Sequence, residues 1–154
     1  KVGVGTTVQD QPLETQRQGL QIRSGIYRII DDLGITATPQ DIEASIAPLY
    51  YRVSRLSADA EREKFWSVLR DVHLLTAGLI ADDVLKRTDD MLFYRTVPGL
   101  VHQSARFPDL ATKLIRTEFE KLIGPIEKGD FQAYFCLRAE TLLSFCALLD
   151  AAES

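Results

Sequence analysis

The chain has 154 residues, of which 45% are hydrophobic and 26% charged, and a formal net charge of −4. That length and balance describe one folded domain with a core of its own and exclude a disordered chain. The acidic balance also argues against a broad nucleic-acid footprint on this stretch alone, because phosphate binding needs a basic surface. In chain order, Lys1–Val8 comes first, where KVGVGTTV alternates β-branched residues with Gly3 and Gly5. This pattern predicts a short twisted strand entering a hairpin.

Helices are predicted almost everywhere else. The first runs from Pro12, which suits a first helical position, to Leu33, with Gly34 as its C-terminal cap. Its apolar residues Leu13, Leu20, Ile22, Ile26, Ile29, Ile30 and Leu33 are expected mostly on one side. Gly19 and Gly25 weaken it, so a close-packed neighbour is expected at both. Thr38-Pro39 opens a second helix, with Asp41 and Glu43 in its first turn. Pro48 is expected to interrupt it, leaving a short piece with Leu49, Tyr50, Val53 and Leu56.

Ser57 caps the next helix, where Phe65, Val68, Leu69, Val72 and Leu75 form a buried stripe. After Gly78 a helix is predicted near Ile80 to Arg95, with Val84, Leu85, Met91 and Leu92 inward. Pro98-Gly99 predicts a break, followed by a short turn or helix at Leu100 and Val101. Pro108-Asp109 opens a long helix through Ile126, kinked at Gly124-Pro125 and ended by Gly129-Asp130. A last helix is expected from about Phe131 to Ala151. Short linkers favour antiparallel neighbours, so the predicted fold is all-α, an antiparallel bundle of six to seven helices.

Familiar enzyme motifs are missing from the sequence. It has no phosphate-binding glycine loop, no H-E-x-x-H and no nucleophile elbow. His73 and His102 stand far apart and are read as surface or hydrogen-bonded histidines rather than metal ligands. The pairs Asp82-Asp83 and Asp89-Asp90 are read as a solvated face. Cys136 and Cys146 lie ten residues apart in one predicted helix, about 15 Å along its axis, too far to bridge. They are expected to be reduced and buried in a cytoplasmic protein. No window approaches the roughly 18 unbroken apolar residues of a membrane helix, and no secretory signal opens the chain.

The opening stretch Lys1-Val2-Gly3-Val4-Gly5-Thr6-Thr7-Val8 resembles the wing of the winged helix-turn-helix in GntR-family transcriptional regulators. There a basic residue precedes a G-x-G-T-x-V run. Near the other end, Glu118-Phe119, Ile123, Ile126, Glu127, Lys128, Gly129 and Asp130 resemble the late signature of the FadR-type effector domain. Phe65-Trp66 is similar to a D-x-x-F-H segment of the same family. The resemblance implies that residues 1–10 are the end of a wing and a linker, and that residues 11–154 form a helical effector-binding and dimerisation domain. It implies a homodimer that contacts operator DNA through the preceding winged-helix domain, with Lys1, Gly3, Gly5 and Thr6 on the DNA side. The residues themselves lead to the expectation of no membrane partner and no enzyme, a small helical enzyme being the least favoured rival because no acid–base or nucleophile constellation appears.

Many effector domains of that type hold a divalent metal with one Asp and three His. In register, this chain has Arg62, Trp66, Phe119 and Thr141, which lack the imidazole and carboxylate groups a metal needs. The resemblance therefore implies a metal-free, cofactor-free member, of which the acyl-CoA-responsive regulators are the known case. Its ligand would be a hydrophobic or carboxylate-bearing small molecule in the helical domain. The candidate polar anchors are Arg62 first, then Arg138 and Arg95, with Arg106 and Tyr94 behind them, because arginine pairs bidentately with carboxylates. Trp66, Phe119 and Thr141 would line the same pocket. A dimerisation or interaction module without a ligand is the alternative. A TetR-like ligand domain would be helical up to the junction, which the β pattern at Val2–Val8 opposes.

Overall fold

A computed structural model of the chain describes residues 12–59 and 62–154. They form seven helices: α1 (Leu13–Leu33), α2 (Ile42–Ser54), α3 (Arg62–Gly78), α4 (Asp83–Arg106), α5 (Pro108–Glu127), α6 (Phe131–Ser144) and α7 (Cys146–Glu153). The protein is all-α, and no strand occurs among the described residues. The β pattern at Val2–Val8 and the junction after residue 10 lie outside them. One isolated antiparallel bridge, Thr36 to Ile80, ties the α1–α2 loop to the α3–α4 loop. Among the described residues, no helix is long and apolar enough to cross a membrane.

Local signals set most helix ends. Gly34 takes φ 64°, a left-handed conformation that closes α1 with its N–H on the Asp31 carbonyl at 3.1 Å. Asp82 accepts from the Leu85 N–H at 2.9 Å and Asp130 from the Ala133 N–H at 3.0 Å, so each carboxylate caps a helix N-terminus. Accordingly α4 starts at Asp83 rather than Ile80, because Leu79 and Ile80 are buried in the bridged loop.

The two breaks expected at prolines do not occur. Helix α2 runs through Pro48, and α4 runs through Pro98-Gly99 to Arg106. A proline inside a helix frees the carbonyl four residues earlier. Those carbonyls belong to Ala44 and Tyr94, both exposed residues where water can take the place of the lost N–H. In the other direction, the single helix expected from Phe131 to Ala151 is divided at Phe145. Its N–H turns back to Leu142 and its carbonyl accepts from Leu148 at 3.0 Å, a tighter turn that redirects the chain.

Helix α1 packs against α6 and α4. Along the α1–α4 seam residue numbers rise on one helix as they fall on the other: Gln16 meets Gly99, Gly19 meets Thr96, and Arg23 meets Asp89. Leu20, Ile26, Tyr27 and Ile30 of α1 enter the main core with Phe65, Val68, Phe119, Leu122, Tyr134, Phe135 and Leu149. Three of the apolar residues expected mostly on one side of α1 do not join the buried set and are exposed: Ile22, Ile29 and Leu33. The same is true of Val84 and Met91 on α4. By helical phase both sets flank the α1–α4 seam on the side away from the core. Cys136 is exposed and Cys146 partly buried, both as free thiols, so the expectation of two buried cysteines fails at Cys136.

The two glycines of α1 do different things. Gly19 lies directly against the Thr96 side chain, leaving no room for a methyl group, whereas nothing lies within 4 Å of a methyl group at Gly25. The close approach expected at Gly25 is therefore absent. Gly19→Ala should destabilise the protein by about 1–3 kcal/mol through overpacking. Gly25→Ala should stabilise it by up to about 1 kcal/mol through lower backbone entropy in the unfolded chain. Urea denaturation of the two variants checks the opposite signs.

Candidate functional site

Three helices converge on a small cavity. Helix α3 contributes Val68, Leu69 and Val72, α5 contributes Ile115, Glu118, Phe119 and Leu122, and α6 contributes Arg138 and Thr141, with Phe145 at its end. The spacings are those of single helix faces, so each helix offers one stripe to the same space. The cavity leaves about 30 Å³ for the centres of water molecules. That is room for about two waters, or for a group of similar size.

Its walls are apolar except for Arg138, Glu118 and Thr141. Glu118 is held on its own helix by Lys121 Nζ at 3.3 Å. The Thr141 hydroxyl donates to the Arg138 carbonyl at 3.2 Å. Arg138 is 6% exposed, and its Nε has no hydrogen-bond partner. Among the described residues no carboxylate lies within ion-pair distance of it. Its guanidinium carbon sits 5.5 Å from the centre of the Tyr27 ring, so a cation–π contact holds it from one side. A buried donor without an acceptor carries a desolvation cost of roughly 1–3 kcal/mol. A small anion entering the cavity would relieve it.

Beyond Tyr27 lies a buried polar network. Arg23 Nε donates to Asp89 Oδ1 at 2.8 Å, and the Tyr27 hydroxyl donates to Asp89 Oδ2 at 2.8 Å. Arg23 Nη2 donates to the Tyr27 hydroxyl at 2.9 Å and approaches His73 Nδ1 at 3.4 Å. His73 Nε2 is 2.9 Å from Asp90 Oδ1, and the imidazole stacks on Phe93 at 4.0 Å. Burial alone would lower the Arg23 pKa, but Tyr27 and Asp89 reverse this and the guanidinium stays charged. Burial raises the Tyr27 pKa, so its hydroxyl remains a donor. Burial lowers the His73 pKa, against the opposing pull of its Asp90 hydrogen bond. A neutral ring with its proton on Nε2 fits the partners: Nε2–H donates to Asp90, and Nδ1 accepts from Arg23.

Of the residues singled out from sequence, Phe119, Arg138 and Thr141 meet at the cavity. The others do not line it. Trp66 turns to α4, where it packs on Phe93 at 5.8 Å and Tyr94 at 6.2 Å. Arg62, first among the expected anchors, is exposed at the start of α3, and Arg95 is exposed on α4. Arg106 donates to Gln103 Oε1 at 3.2 Å, and Tyr94 is about half exposed. Lys1, Gly3, Gly5 and Thr6 lie outside the described residues. Among the described residues no group of three or more His, Cys, Asp or Glu side chains stands together to hold a metal ion.

The network itself escaped sequence reasoning. Asp89 was expected on a solvated face, yet it is fully buried, and Asp82 is a helix cap. A usable signal was present on α1. Leu20, Arg23, Tyr27 and Ile30 follow helical core spacing, so Arg23 sits in an inward position that demands a buried partner. No family model, curated protein or solved structure matches the chain.

The lowered His73 pKa sets a pH dependence. The unfolded chain binds a proton near pH 6.5 that the folded protein refuses until lower pH. Stability should therefore fall as pH drops below about 6.5, with a slope of at most about 1.4 kcal/mol per pH unit from this group. The loss should level off below the folded value. Thermal melting of wild type and His73→Asn between pH 7.5 and 5 isolates the effect: the variant should be less stable at pH 7.5 and should lose less on acidification. Parallel slopes would assign the acid loss to other groups.

Proposed function

We propose that the chain is the effector-sensing domain of a ligand-responsive, DNA-binding transcriptional regulator of the GntR type, working in the cytoplasm. Its helices would form the antiparallel bundle of a FadR-like effector domain, without metal or catalytic activity. The observation that carries this proposal is Arg138: a buried guanidinium at an apolar cavity, with its Nε lacking an acceptor. Arginine in such a place binds carboxylates strongly, through paired charge-assisted hydrogen bonds. The cavity volume favours a carboxylate of formate to propionate size over an acyl-CoA, whose body would not fit without rearrangement. The DNA-reading part rests on the resemblance of Lys1–Val8 to a wing.

Thermal shift and calorimetry with formate, acetate and propionate test the site. A binding acid should stabilise the domain by about 2.7 kcal/mol at a hundred times its Kd. Arg138→Met, which keeps the apolar bulk and removes the charge, should abolish the shift. Equal stabilisation of wild type and variant, or none by any small carboxylate, would overturn the proposal. The genomic sequence encoding the residues before Lys1 tests the DNA-reading part, which requires a winged helix-turn-helix there.

One observation favours a second role, homodimerisation. Ile22, Ile29 and Leu33 on α1 and Val84 and Met91 on α4 are between 45% and 67% exposed and flank one seam. An apolar face of this kind on two adjacent helices marks a contact surface. A second copy related by a two-fold axis would bury it as a four-helix contact. Sedimentation analysis should show a dimer for the wild type and a monomer for Ile29→Glu/Met91→Glu, whose positions are already exposed. A monomeric wild type removes this role.

A further inference from the structure

A cation-lined recess with an apolar floor lies between the end of α2 and the start of α3. It encloses about 300 Å³ and is lined by Tyr51, Arg52, Arg55, Leu56, Lys64, Ser67 and Val68. That volume reaches the lower end of the range typical of small-molecule sites, and far exceeds the Arg138 cavity. Its floor is apolar: Leu56 and Val68 are each 3% exposed. Its rim is cationic on a chain whose net charge is −4.

The three cations are not equivalent. Arg52 is committed, paired with Asp71 and donating to Ser67 Oγ at 3.1 Å. Asp71 is also approached by Arg70 Nε at 3.8 Å, so its charge is balanced. Arg55 and Lys64 form no ion pair with any of the described residues. Arg55 lies over the Tyr51 ring at 5.4 Å, which orients the guanidinium at the recess edge. The exposed carbonyls at the end of α2 would repel an anion, but Arg116 donates to the carbonyls of Ser54 and Leu56 and neutralises them. Two cations without an ion pair among the described residues, one aromatic ring and a small apolar floor match one ligand chemistry.

We propose that this recess binds an amphipathic organic anion, a carboxylate or phosphate head on a small apolar or aromatic body. The head meets Arg55 and Lys64, and the body lies over Leu56 and Val68 beside Tyr51. This site is separate from the Arg138 cavity and does not depend on it, although Val68 contributes to the walls of both.

Backbone-amide NMR titration of the full chain with benzoate, phenyl phosphate and benzyl alcohol tests it. Benzoate or phenyl phosphate should shift the amides of Leu56, Ser67 and Val68 in a saturable way, and benzyl alcohol should bind at least tenfold more weakly. The tighter of the two anions identifies the head group. Arg55→Gln/Lys64→Gln, at two exposed positions, should keep the melting temperature and weaken the anion at least tenfold. Arg138→Met should leave the titration unchanged, which separates this site from the carboxylate cavity. Equal binding of the neutral alcohol, unchanged affinity in the double variant, or no saturable shift at these amides would each overturn the proposal.

Discussion

The buried ion pair between Arg23 and Asp89 is the constraint around which the rest of the structure is arranged. Both groups are withdrawn from water, and desolvating two charges costs several kcal/mol per ion before their attraction is counted. Such a pair persists only when every remaining donor and acceptor is satisfied. Tyr27 takes the second carboxylate oxygen and also accepts from Arg23, and His73 accepts from the same guanidinium. A shift of α1 along α4 by one turn, about 5.4 Å, would strand both charges. The hydrophobic contacts of the seam would tolerate such a slip far better, because apolar burial has no direction. Register is therefore set by the polar pair, while net stability comes from the surrounding core.

The steric fit of the seam follows from that register. With Arg23 opposite Asp89, Gly19 falls against Thr96 and Gly99 against Gln16. The Thr96 hydroxyl is turned back onto the Leu92 carbonyl at 2.8 Å, so its methyl group is what meets Gly19. Two glycines, one on each helix, make room for a side chain of the facing helix at the end of the seam beyond the ion pair. This accounts for Gly99 following Pro98 inside a continuous helix. The proline costs one solvent-side hydrogen bond, and the glycine behind it accommodates the Gln16 side chain rather than forming a turn.

Fold class was legible because helical periodicity and cap residues are local. Gly34, Asp130 and Pro108 act where the sequence places them. Breaks assigned to Pro48 and Pro98 were not legible, since whether a proline ends a helix depends on whether water can reach the freed carbonyl. That is a tertiary fact. The one-sided placement of Ile22 and Ile29 and the inward placement of Val84 and Met91 failed for a related reason. Helical periodicity places apolar residues on a face, but which part of that face meets the core depends on the neighbouring helices, and apolar residues also occur on protein surfaces. Of the candidate site, Phe119, Arg138 and Thr141 were readable as residues. Their meeting required the phase of α5 against α6, which no single-helix pattern contains. Asp89 was unreadable from its own surroundings, because Asp-Asp on a helix is usually solvated, and only the inward Arg23 on a distant helix demands otherwise.

The cavity and the seam share one side chain, Tyr27. Its ring faces the Arg138 guanidinium, and its hydroxyl belongs to the Arg23–Asp89 pair. On the proposed function, an anion that draws Arg138 toward itself weakens a desolvated cation–π contact of about 2 kcal/mol. Coupling between sites in responsive proteins typically amounts to 1–3 kcal/mol. The available change is thus of the right size to bias two arrangements of α1 on α4, provided the ligand prefers one of them. Arg138 is held by the Tyr27 ring face and a hydrogen bond with Tyr134, and its Nε is unpartnered, so it can move without breaking an ion pair. Arg23 is held through Nε by Asp89 and through Nη2 by Tyr27 and His73, and cannot. On that proposal, the side chain that responds to a ligand and the one that fixes the helix register meet on one residue of α1, Tyr27.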